Sequence, residues 1–121
     1  VRDVMTRKVI TAKPGDDIKR VATVLLQRGI NHLPIVDEKG KLVGIVTSWD
    51  LAKALAFKKR TLREIMTQKV VTVQEDEAID VLAQKMARHN ISGVPVIDVE
   101  NRVVGIVTAE DLSKKLVGRV K

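Results

Sequence analysis

A mixed α/β (α+β) fold built from two copies of a β-α-β-β-α unit is what this sequence predicts, and three observations predict it. First, the 121-residue chain repeats itself. Laid on the segment that opens at Leu62, Arg2-Asp3-Val4-Met5-Thr6 falls on Arg63-Glu64-Ile65-Met66-Thr67, and the register runs without a gap until Leu55 lies over Leu116. About 20 of roughly 55 aligned pairs are identical, far above chance for one fixed offset. Second, each copy alternates short β-branched runs with stretches of helical period. Third, each copy of about 60 residues is too short to bury much core alone, so the two are expected to share one globule. The expected division is 1–60 and 61–121.

The elements follow in order. Val9-Ile10-Thr11 and Val70-Val71-Thr72 read as a short first strand. Ile18, Val21, Ala22, Leu25 and Leu26, matched by Ile79, Leu82, Ala83, Met86 and Ala87, fall on an i, i+3, i+4, i+7, i+8 stripe, which predicts a helix with one buried face. Gly29 and Asn90 stand just past its end, residue types that accept the left-handed cap. Leu33-Pro34-Ile35-Val36 and Val94-Pro95-Val96-Ile97 are strands with proline near the start, where a missing N–H does least damage. Polar turns at Asp37-Glu38-Lys39-Gly40 and Asp98-Val99-Glu100-Asn101 lead into Leu42-Val43-Gly44-Ile45-Val46 and Val103-Val104-Gly105-Ile106-Val107, closing a hairpin. A second helix opens at Thr47 or Thr108, and 56–61 joins the copies.

Composition narrows the function. With 45% hydrophobic and 31% charged residues the chain is neither disordered nor membrane-embedded, and no apolar run approaches the roughly 18 residues of a spanning helix. One Phe and one Trp supply no stacking platform for single-stranded nucleic acid. The absence of cysteine removes disulfides, thiolate nucleophiles and Cys-based zinc sites, and suits a reducing cytoplasm. The formal charge of +7 favours anionic partners or serves solubility. No acid/base pair, metal-ligand cluster or nucleophile-base signature stands out, so the chain is read as a non-enzyme without a metal or catalytic cofactor. A start at Val1 without Met or signal peptide suits a piece of a longer protein.

The chemistry concentrates at Gly44-Ile45-Val46-Thr47-Ser48-Trp49-Asp50 and its copy Gly105-Ile106-Val107-Thr108-Ala109-Glu110-Asp111. A threonine at a helix start with an acid three residues on is a capping-box arrangement, and helix stability alone accounts for it. The same corner also offers free N–H groups, a hydroxyl and a carboxylate around one point, which suits a ribose and a phosphate or other polar tail. Glycine in the preceding strand would let a flat base approach the backbone.

These residues carry a resemblance. The Val-Met-Thr openings, the Leu-Pro-Ile-Val-Asp and Val-Pro-Val-Ile-Asp strands, and Gly-Ile-Val-Thr-x-x-Asp-Leu before each last helix resemble, over nearly the whole chain, a tandem cystathionine-β-synthase (CBS) domain pair, or Bateman module. The resemblance implies two units packed through their sheets about a pseudo-twofold axis, leaving two clefts for an adenosine-containing ligand: AMP, ADP, ATP, S-adenosylmethionine or methylthioadenosine. It implies regulation of an attached or partner effector protein, and pairing into a homodimer. By position, Asp50 and Asp111 would hold ribose hydroxyls, and Thr47 and Thr108 would face the tail. Ile10, Thr11, Val71 and Thr72, with His32, Leu33, Pro34, Gly93, Val94, Pro95 and the strand residues Ile45 and Ile106, would line the adenine.

The copies differ where ligand choice would be made. His32 corresponds to Gly93, and Lys19-Arg20 to Asp80-Val81, so the first cleft is expected to favour negative charge. Trp49 is read as a packing residue, with a cleft wall or a docking surface as alternatives. Met5 and Met66 are read as filler under the linkers. Leu51, Leu55, Leu112 and Leu116 suit either a dimer surface or ordinary core. The alternatives to ligand sensing are nucleic-acid binding, supported by Lys58-Lys59-Arg60, and a purely structural dimerisation module.

Overall fold

The computed structural model describes residues 1–59 and 61–120, the last three by backbone alone; Arg60, part of the expected linker and basic stretch, and Lys121 lie outside the described residues. The elements are α1 (Ile18–Arg28), β1 (His32–Val36), β2 (Leu42–Thr47), α2 (Ser48–Ala56), α3 (Leu62–Ile65), β3 (Val73–Gln74), α4 (Ile79–His89), β4 (Gly93–Ile97), β5 (Val103–Thr108) and α5 (Ala109–Val120). They gather into two compact units, Ile10–Val70 and Val1–Val9 with Val71–Lys121. Sequence copy and packed body therefore differ in one respect: the segment opening each copy is packed with the strands of the other.

In Ile10–Val70, β1 and β2 form the expected antiparallel hairpin, from His32↔Thr47 to Ile35↔Gly44, with a bulge before Val36. Val21 and Leu25 of α1 pack on Leu33, Ile35 and Val46 together with Leu62, which is wholly buried although it belongs to the second copy. The Asp17 side chain caps α1 by accepting from the Lys19 amide, and Gly29 closes it at φ 63°. Thr67 is bound to β2 in both directions, its carbonyl accepting from the Ile45 amide (3.0 Å) and its amide donating to the Ile45 carbonyl (2.9 Å).

The other unit repeats this plan. β4 and β5 pair antiparallel from Gly93↔Thr108 to Val96↔Gly105, and β3 adds a parallel edge at Val73↔Val96. Leu82 and Met86 of α4 pack on Val73, Val94, Val96 and Val107, with Met5 from the opening segment. Thr6 is bound to Ile106 as Thr67 is to Ile45. Asn90 takes the position of Gly29 at φ 51°, and Asn101 that of Gly40 (φ 66° against 79°). Asn tolerates the left-handed region best after glycine. In the hairpin turns, backbone N–H groups, foremost that of Lys41, hold the Asp37 carboxyl below its ordinary range, and the Arg102 amide leads in doing so for Asp98.

Three expectations need correction. The first strand is not at Val9-Ile10-Thr11 or Val70-Val71-Thr72; pairing begins later, as a single bridge at Ala12 and as the two-residue β3. The reason is proline. The Ala12 amide donates to the Pro34 carbonyl (3.1 Å) and the Val36 amide to the Ala12 carbonyl (2.8 Å), so the next rung toward Ile10 needs an N–H at position 34, which proline lacks. Pro95 ends the β3 ladder in the same way. Second, the buried stripe of each first helix is narrower than its pattern: Leu26 is 84% exposed, and Ala83 and Ala87 are exposed, because so narrow a sheet covers little beyond the Val21–Leu25 and Leu82–Met86 spines. Third, Leu55 and Leu116 are not core: both are exposed, whereas Leu51 and Leu112 are partly buried against their cores.

Candidate functional site

The Thr–Asp corners form as the capping pattern requires. Thr47 precedes α2, and one oxygen of Asp50, Oδ2, accepts from the Thr47 amide (2.9 Å) and the Thr47 hydroxyl (3.1 Å), while the Asp50 amide donates back to Oγ1 (3.3 Å). Thr108 and Asp111 repeat the set at 2.9, 3.1 and 3.4 Å. Asp50 is only 7% exposed, and its other oxygen lies 3.4 Å from the Lys53 ammonium. The second copy handles that lysine differently: Lys114 pairs with Glu110 at 3.3 Å. Glu110 stands where the first copy has Trp49, which offers Lys53 no carboxylate.

The hairpin registers set the remaining candidates near these corners. His32 lies opposite Thr47, Leu33 opposite Val46 and Pro34 opposite Ile45; Gly93, Val94 and Pro95 lie opposite Thr108, Val107 and Ile106. Burial lowers the pKa of the His32 imidazole below the ordinary histidine value. A cavity of about 110 Å³ opens in the Ile10–Val70 unit between the chain before α1, α1 itself and β1, lined by Ile10, Thr11, Ala12, Asp16, Arg20, Val21, Val24 and Leu33. Of the expected residues it gathers Ile10, Thr11 and Leu33. His32, Pro34, Ile45, Thr47 and Asp50 are outside its lining.

Sequence reasoning singled out Arg20 as a charge but not as part of this wall, and it missed Asp16 and Val24. Val24 carried a signal, since its counterpart in the second copy is Lys85. In the other unit Thr72 accepts at its carbonyl from Lys85 Nζ (2.8 Å). Val71 and Thr72 are partly buried, and Val94 and Pro95 are fully buried in β4.

Two further readings are corrected. The strand glycines do not leave room for a flat base: a Cβ on Gly44 would lie 2.7 Å from Met66 Sδ and 3.1 Å from the Thr67 carbonyl, and one on Gly105 would meet Met5 and Thr6 identically. The methionines are thus seated on strand glycines, not under the linkers. Trp49 does not pack: it is 69% exposed, because Asp50 and Ala54 take the inward positions of α2 and leave its neighbour facing out. Among the described residues no cluster of His, Cys, Asp and Glu is suited to a metal, and no helix is long and apolar enough to cross a membrane.

Duplicated β-α-β-β-α units, each delivering a Thr and an Asp to the start of its last helix, define a tandem-repeat module. The chain belongs to the CBS domain family, whose model matches residues 1–57 and again 62–118. It is 56% identical over 119 residues to the L-aspartate semialdehyde sulfurtransferase of Methanocaldococcus jannaschii, covering 98% of this chain and 23% of that protein. It is 48% identical to a homoserine O-acetyltransferase of Methanococcoides burtonii, covering 94% of this chain and again 23% of that protein. The chain therefore spans about a quarter of the length of these relatives. It is also similar to the CBS domain pair of protein MJ0100, whose crystal structure is in complex with 5′-methylthioadenosine and S-adenosyl-L-methionine (TM-score 0.95, 55% identity, 98% of this chain and 96% of that one).

Proposed function

We propose that this chain is a regulatory module that binds an adenosine-containing ligand of the S-adenosylmethionine or methylthioadenosine type and passes a conformational change to the rest of a longer cytoplasmic protein, without catalysing a reaction itself. The observation that carries the reading is the likeness, at 55% identity over 98% of this chain, to a CBS pair in complex with those two ligands. The geometry supports it: Asp50 and Asp111 stand at helix starts where vicinal hydroxyls find acceptors, Thr47 and Thr108 stand beside them for the tail, and Ile10, Thr11 and Leu33 help wall a cavity of about 110 Å³ of mixed polar and apolar lining. Coupling of about 1–3 kcal/mol between ligand and conformation is sufficient for regulation.

Isothermal titration with methylthioadenosine, S-adenosylmethionine, AMP and ATP tests this. Heat that survives a rise in salt supports it, silence with all four ends it, and oligonucleotide binding that falls steeply with salt would favour the nucleic-acid alternative. A homodimer is the assembly that the exposed Leu26, Leu55 and Leu116 suit, and light scattering with and without ligand decides between dimer and monomer.

A further inference from the structure

The cavity wall of Ile10–Val70 and its counterpart in the other unit are not built alike. Along the repeat, Ala12 corresponds to Val73, Asp16 to Glu77, Val21 to Leu82 and Val24 to Lys85, so four wall positions carry more side chain in the second copy, while Ile10, Arg20 and Leu33 give way to the smaller Val71, Val81 and Val94. The lysine also makes bonds. Lys85 Nζ donates to the Thr72 carbonyl (2.8 Å) and lies 3.5 Å from Glu77 Oε2. Thr72 and Glu77 are the counterparts of Thr11 and Asp16, both of which line the cavity. Asp16 and Glu77 close the same turn, accepting from the amides of Lys13 (3.0 Å) and Gln74 (3.1 Å) respectively. Glutamate's extra carbon lets its second oxygen reach the lysine as well. The ammonium thus bridges, in the second copy, the counterparts of two residues that line the cavity of the first.

We infer that the two adenosyl half-sites are unequal by construction: a ligand's ring seats first against Ile10 and Thr11, and in the second copy Lys85 is a strap that must leave the Thr72 carbonyl before a ring can seat. The inference rests on the adenosyl-binding reading and goes beyond it by assigning the order of filling to one side chain. Breaking a half-buried, charge-assisted hydrogen bond corresponds to roughly ten- to a hundredfold in affinity. Each wall carries one cation, Arg20 in the first copy and Lys85 in the second, but Arg20 stands where the second copy has Val81 and Lys85 where the first has Val24.

The test is isothermal titration of the whole chain with methylthioadenosine, comparing the wild type with Lys85→Val, Lys85→Met and Val24→Lys, each first checked by circular dichroism. The wild type is expected to show two events separated by about tenfold or more, or one event to which Lys85→Val adds a second. Lys85→Val and Lys85→Met should tighten the weaker event by roughly tenfold, and Val24→Lys should weaken the stronger one. Lys85→Met, which keeps the stem and removes the charge, serves if the valine variant does not fold. Two equal wild-type events, or a weaker event unchanged within about twofold in the folded Lys85 variants, overturns the strap and leaves the adenosyl reading standing. Silence of the folded wild type with both methylthioadenosine and S-adenosylmethionine overturns the adenosyl reading, and the strap with it.

Discussion

Replacing Asp50 by alanine will weaken the fold before it touches any ligand, because the carboxylate proposed to hold a ribose also starts α2. Asp50 is 7% exposed, and its Oδ2 is the acceptor for both the amide and the hydroxyl of Thr47. The N-cap bond itself, from the Asp50 amide to Thr47 Oγ1, is donated by the backbone and survives the substitution. What is lost is the return half of the capping box, and a half-buried N–H left without its acceptor costs about 1–3 kcal/mol. Asp50→Ala is therefore expected to lose about 1–3 kcal/mol, a fall in Tm of roughly 3–15 °C for a chain of this length. Asp50→Asn keeps an oxygen for the Thr47 amide and gives up only the pairing with the half-exposed Lys53, so it should stay within about 1 kcal/mol of wild type. Guanidinium titration and thermal melting measure the first effect, and calorimetry of the asparagine variant measures ligand binding apart from it. Asp50→Ala melting within about 2 °C of wild type would refute the cap as the source of local stability. Asp50→Asn that binds methylthioadenosine as wild type does would refute the ribose role.

Gly44→Ala should destabilise by about 1–3 kcal/mol, since its Cβ meets Met66 and the Thr67 carbonyl; Met66→Ala should relieve part of that loss, so a double-mutant cycle showing strict additivity would exclude the contact. His32 binds a proton less readily folded than unfolded, so stability is full above the ordinary value of about 6.5 and falls as pH drops below it; urea titrations at pH 7.5 and 5.5 should show a slope that His32→Gln flattens. A fragment of residues 10–70 should hold a cooperative fold, whereas 1–60 should not, because it lacks Leu62 and the Thr67 pairing; equal melting of the two fragments would refute the exchange of opening segments.

Much of this was legible in the residues. The repeat gave the element order, Gly29 and Asn90 the helix ends, and the Asp37 and Asp98 turns the hairpins, because each is fixed by local geometry. What escaped depends on partners distant in sequence. Nothing within Val9-Ile10-Thr11 shows that Pro34 withholds the rung those residues need. Gly44 reads as an opening until Met66 is known to occupy it. Val24 reads as one more apolar helix position until Lys85 is seen bound to the Thr72 carbonyl. The exchange of opening segments is invisible to a gapless repeat, since either partner satisfies the same pattern.

The division between what the copies share and where they differ bears on the proposed ligand selectivity. Pro34 and Pro95, Gly44 and Gly105, Thr47 and Thr108, and Asp50 and Asp111 are identical pairs, and each does structural work in its own unit: ending a ladder, seating a methionine or starting a helix. Their identity is thus accounted for by folding alone and does not imply that the copies prefer the same ligand. Arg20 and Val81, Val24 and Lys85, and His32 and Gly93 differ between the copies; Arg20 and Val24 stand in the cavity wall, and His32 and Gly93 lie opposite the threonines of the Thr–Asp corners. On the proposed reading, a carboxylate present twice serves a ribose at both corners, and the wall sets which corner accepts an adenosine first. Exchanging wall residues between the copies should therefore change the order of filling, whereas exchanging the corner residues, already identical, has nothing left to exchange.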